Sequence, residues 1–136
     1  MKSLLIISIS LFINFTSLAQ NADVVSENDK TEEIFSSRDK DYLQYWHYEQ
    51  ILQMDLTEEE RDGYLSLLNY YTYKISSLGS SKYNYTDSER KTKFDELVVK
   101  LNKEMKELLN PHDYQIHEDS FRKIIQLVYN KREWKK

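Results

Sequence analysis

The chain has one proline, Pro111, and two glycines, Gly63 and Gly79, among 136 residues. So few residues suited to sharp turns disfavour a many-stranded sandwich or barrel. Pro111 itself lies in "KEMKELLNPHDYQIHEDSFRKIIQLV", with a helical apolar period on both sides. A proline fits such a pattern as the first residue of a helix, where its missing N–H costs nothing and its fixed φ already suits the helix. Asn110 then becomes the N-cap, and Asp113 falls at the third helical position, near the positive end of the helix dipole. Pro111 therefore closes one helix and opens the next, and the fold class expected is all-α.

Two further stretches carry the same punctuation. "LTEEE" places Thr57 three residues before Glu60, and "YTDSER" places Thr86 three before Glu89. In this spacing the hydroxyl accepts from one backbone N–H while the carboxylate accepts from another. These caps predict helices near 57–78, 86–109 and 111–133, with a shorter one near 38–54 capped by Ser36 or Ser37. Apolar residues recur at helical spacing: Tyr64, Leu67, Leu68, Tyr71, Ile75 and Leu78, then Phe94, Leu97, Val98, Leu101, Met105 and Leu108, then Tyr114, His117, Phe121, Ile124, Ile125 and Val128. Gly79 is expected as a left-handed stop after the first long helix. Short connections imply antiparallel neighbours, giving a four-helix antiparallel hairpin-like bundle or cradle.

The N-terminal "MKSLLIISISLFINFTSLAQ" has a lysine, an apolar run from Leu4 to Phe15 and small residues at Ser17 and Ala19. That order predicts a secretory signal peptide over residues 1–19, cleaved after Ala19, with a run too short for a stable membrane span. Residues 20–35 are mostly polar and aperiodic and read as a flexible leader, leaving 36–136 as a single helical domain. Without Lys2, 18 basic residues face 23 acidic ones, a mature formal charge of −5. Such a balance argues against nucleic acid or anionic lipid as the main partner. With no cysteine, thiolate metal sites, disulfides and a lipidated cysteine are excluded. Stability must come from core packing or from oligomerisation.

Set side by side, "MDLTEEERDGYLSLL" and "KELLNPHDYQIHEDSF" each present a leucine, a capping residue, two further residues and an acid, opening an amphipathic helix. This resembles the paired LTxxQ motif of the Spy and CpxP family of small periplasmic helical proteins. The first motif falls on Leu56, Thr57 and Glu60, the second on Leu109, Asn110 and Asp113. Acids replace both glutamines, and asparagine replaces the second threonine. The resemblance spans roughly residues 54–125. It implies a cradle-like, commonly dimeric fold in the Gram-negative envelope. It also implies work as an ATP-independent chaperone, a modulator of an envelope-stress sensor or a metal-responsive protein, three jobs on one scaffold.

The residues themselves offer little to the metal reading. His112 and His117 are five apart on one helix, about 140° around its axis, whereas paired ligands favour a spacing of three or four. His117 lies on the apolar stripe and reads as a core histidine, although His47 with a neighbouring acid leaves a site across a dimer open. Glu58, Glu59 and Glu60 complement a helix dipole. No nucleophile and base are brought together, so neither catalysis nor a cofactor is expected.

Eleven tyrosines are the more informative feature. Tyr70 and Tyr73 point away from their helix's apolar stripe, Ile116, Leu127 and Trp134 form a second apolar face on the last helix, and "DYLQYWHYEQILQM" is apolar nearly all round. These faces either pack against neighbouring helices or a second copy, or form an aromatic surface that holds other chains. Tyrosine suits the latter because its rigid ring tolerates both water and apolar partners. Trp46, Tyr48, Tyr70 and Tyr73 are the candidate binding residues. The expected partners are unfolded or partly folded proteins, or an envelope sensor, and a homodimer is compatible. The basic end, "KREWKK", is explained by the helix dipole.

Overall fold

The computed structural model describes residues 33–135, which form four α-helices. The expected signal peptide and most of the expected leader lie outside the described residues. Helix α1 spans Ser37–Ile51, α2 Glu58–Ser77, α3 Asp87–Leu108 and α4 Pro111–Lys131. Each begins at the polar cap that its sequence supplies. Ser36 with Asp39, Thr57 with Glu60 and Thr86 with Glu89 each complete a reciprocal capping box. Asn110 caps α4 with its backbone extended at φ −64° and ψ 164°. The residue before a proline and an N-cap residue both favour that conformation, so two constraints agree at one position.

Helices α2 and α3 run antiparallel. Gly63 faces Leu108 near one end, and the Tyr71 hydroxyl donates to Glu104 further along. A Cβ on Gly63 would stand 3.3 Å from Leu108 Cδ1, so the glycine permits this close approach. Helix α4 returns along α3, with His117 opposite Asn102 and Tyr129 opposite Asp95. Helix α1 lies antiparallel on α4, tied by the Lys131–Asp39 ion pair and by a 3.0 Å hydrogen bond from Ser120 Oγ to Gln50 Oε1. Helices α1 and α2 make no close backbone approach among the described residues and meet through side chains.

The stripes expected from the sequence form the core. Tyr64, Leu68, Tyr71, Ile75 and Leu78 from the first stripe, Phe94, Val98, Leu101 and Met105 of α3, and His117, Phe121, Ile124 and Val128 of α4 are buried, whereas Leu67, Leu97, Leu108, Tyr114 and Ile125 are partly buried at its margin. No helix among the described residues is long and apolar enough to cross a membrane.

Several expectations are corrected. Ile34 and Phe35, assigned to a flexible leader, are buried in the core, so the packed domain begins before its first helix. Gly79 does not adopt positive φ; α2 ends at Leu78 in a right-handed conformation, and the left-handed residue of the connection is Asn84, at φ 47°. Trp134 does not continue a second apolar face of the last helix with Ile116 and Leu127, because α4 ends at Lys131. Glu133 takes φ 55°, the Trp134 N–H donates to the Tyr129 carbonyl, and the indole folds back into the core. This left-handed reversal closes the end of α4.

Candidate protein-binding surface

The two sequence motifs meet at one end of the molecule. In the first, Glu60 N–H donates to Thr57 Oγ1 at 3.2 Å and Thr57 N–H donates to Glu60 Oε2 at 2.9 Å. In the second, Asp113 N–H donates to Asn110 Oδ1 at 2.9 Å, and the Asn110 amide donates to Asp113 Oδ2 at 2.7 Å. Asp113 Oδ1 also accepts from the backbone N–H of Asp55, just before the first motif, at 3.2 Å. Leu109 is buried and Leu56 packs against the core. Asp113 is fully buried, which raises its pKa, but hydrogen bonds from His112, the Asp55 N–H and Asn110 together hold it below the ordinary carboxylate value. The motif residues therefore join the start of α2 to the start of α4.

Above this joint runs a polar seam. Tyr64 Oη lies 3.2 Å from His117 Nδ1, and His117 Nε2 lies 3.1 Å from Asn102 Oδ1. The mutually satisfied arrangement is a neutral imidazole donating to Asn102 and accepting from the tyrosine. His47 stacks on Tyr64 with ring centroids 5.4 Å apart, and its buried Nε2 has no hydrogen-bond partner. Burial pushes both histidines down to about 4, and His47 adds a repulsive contribution at His117. His117 is thus a core histidine, while His112 projects into solvent from the helix start. Among the described residues, no group of three or more His, Cys, Asp or Glu side chains is placed to hold a metal ion.

The candidate binding tyrosines lie outside this interior. Tyr70 and Tyr73 are 51% and 68% exposed on α2, and Tyr48 is 52% exposed on α1. Trp46 differs from its neighbours: it is half-buried and packs against the core. Tyr70 meets Tyr71 edge-on at 5.1 Å, and Lys74 Nζ sits 4.4 Å above the Tyr70 ring. No ring contact among the described residues joins the α1 tyrosines to those of α2, so the candidates form two patches.

Sequence reasoning missed Tyr45 on α1 and Leu52 at its C-cap, each 66% exposed, and the exposed Tyr83. The apolar and aromatic residues of α1 are spread around most of its circumference among polar ones, so periodicity could not separate its inner face from its outer one. The described residues define a small all-α protein whose open surface is aromatic and cationic in places and whose interior carries the polar seam of Tyr64, His117 and Asn102. Compared with protein-family models, curated proteins and solved structures, the chain has no match in any of the three.

Proposed function

We propose that this chain is a periplasmic, Spy- and CpxP-like envelope-stress protein that holds partly unfolded polypeptides without ATP and without catalysing a reaction. The observation that carries this reading is the exposure of Tyr70 and Tyr73 on a helix whose opposite face fills the core. Rings of this kind bind apolar segments weakly and release them, because they lose little conformational entropy on contact. The mixed charges around them keep a captured chain in solution. The junction of the two LTxxQ-like motifs through Asp113 supports the family resemblance, since it gives both motifs one structural task. A homodimer formed through the α1 patch, with Tyr45, Tyr48 and Leu52, is compatible with this function.

The test is suppression of light scattering by a chemically denatured enzyme diluted into buffer with the purified mature protein, at increasing ratios and without nucleotide. Graded suppression supports the holding activity. No suppression, together with stoichiometric recovery of one envelope receptor in a pull-down, replaces it with the sensor-modulator reading.

A further inference from the structure

The proposed function leaves open what kind of segment the α2 patch prefers, and the charges around it bear on that choice. The stretch from Tyr70 to Lys93 carries five basic and two acidic side chains, one of the five, Lys91, being paired with Asp95 at 3.0 Å, although the whole chain has a formal net charge of −4. Both acids are engaged internally. Asp87 accepts from Arg132 at 3.2 Å and from the Trp134 indole at 2.7 Å, and Glu89 closes the capping box with Thr86.

Three of the lysines are arranged differently. Lys74 lies 4.4 Å from the centre of the Tyr70 ring, Lys82 5.8 Å from that of Tyr83, and Lys93 4.8 Å from that of Tyr85. Tyr83 and Tyr85 are themselves stacked, with centroids 5.4 Å apart and ring planes 4° from parallel. Among the described residues, none of these three lysines lies within ion-pair distance of a carboxylate, although the charge of Lys93 is felt by Glu89 one turn away. An ammonium over an exposed ring gains a weak attraction while keeping its hydration, so it remains available to an incoming anion. The end of the α2–α3 hairpin therefore offers aromatic faces together with ammonium groups that no carboxylate contacts directly.

Resting on the reading above, we infer that this end of the hairpin selects polypeptide segments in which apolar side chains are flanked by aspartate or glutamate. The apolar groups meet the tyrosine rings, and the carboxylates draw the lysines from those rings into charge-assisted contacts. An anionic membrane is the weaker fit. Stable insertion at a bilayer surface buries bulky apolar side chains such as leucine, phenylalanine or tryptophan beside the cations, whereas the exposed large side chains of this stretch are the tyrosines Tyr70, Tyr73 and Tyr83.

Two fluorescent peptides with one apolar core, flanked in one by aspartates and in the other by lysines, test the inference by anisotropy titration of the mature protein. Wild type should prefer the aspartate peptide by about five- to tenfold at low salt and lose most of that preference at high salt. The variant Lys74→Gln/Lys82→Gln/Lys93→Gln, checked for an unchanged helical spectrum, should bind both peptides alike. Equal binding by wild type, or a preference that survives in the variant, overturns the inference while leaving protein binding intact. Tighter binding to phosphatidylglycerol vesicles than to either peptide also overturns it. Binding to neither peptide, with no aggregation suppression, overturns the proposed function and this inference together.

Discussion

The backbone N–H of Asp55 donates to Asp113 Oδ1 at 3.2 Å across a sequence separation of 58 residues. One carboxylate thereby serves the connection before α2 and the cap of α4 together. Its burial makes the arrangement stringent, because every lone pair removed from water needs a partner.

Asp113→Ala should lower stability by about 3 kcal/mol, since it strands the Asp55 N–H and an Asn110 amide donor beside a small cavity. Asp113→Asn keeps an acceptor and should cost less. Urea midpoints measure both, and an alanine variant as stable as wild type would show that the joint is not structural. The carboxylate's folded pKa is depressed, so its contribution is present above the unfolded value near 4 and is lost as pH falls below it.

The histidines predict an earlier, separate loss. His47 and His117 are held at about 4 in the folded state, below an unfolded value of about 6.5. Between those values the unfolded chain binds more protons, so stability is full above about pH 6.5 and falls as pH drops towards 4. Tyr64 from α2, Asn102 from α3 and the two imidazoles themselves face one another, and no carboxylate is hydrogen-bonded to either ring. His47→Leu should reduce the slope of unfolding free energy against pH by up to one proton, about 1.4 kcal/mol per pH unit. Parallel slopes for variant and wild type would contradict burial of His47.

Local chemistry in this chain was legible, and contacts between distant segments were not. Thr57, Thr86 and Asn110 start helices because each satisfies backbone groups within three residues, and that information is contiguous in the sequence. The phase that buries Tyr64 and Tyr71 while exposing Tyr70 and Tyr73 is equally local. Ile34, Phe35 and Trp134 lie beyond the helices, where no period marks an inward face. Asn102 was invisible as the partner of His117 because a polar residue on a helix signals its contact only once another helix arrives. Trp46 and Tyr45 could not be separated, since the aromatic and apolar residues of α1 are spread around most of its circumference.

The buried tryptophan gives the C-terminal tail a structural role. Trp134 contacts Phe94 and Tyr129, and its indole N–H donates to Asp87 at the first turn of α3. Trp134→Ala should cost about 3–5 kcal/mol in thermal or urea unfolding. A loss below about 0.5 kcal/mol, typical of a surface change, would contradict its place in the core.

The central claim is that exposed tyrosines hold other chains without contributing to the core, and the variant Tyr70→Ser/Tyr73→Ser tests it most directly. Each change should cost under about 0.5 kcal/mol, whereas Leu101→Ala, at a fully buried position of α3, should cost about 2–5 kcal/mol. Measured in one aggregation assay alongside wild type, the double tyrosine variant should remain folded and suppress scattering clearly less well. A double variant that stays folded and suppresses scattering as well as wild type, or that unfolds like the Leu101 control, would contradict the account.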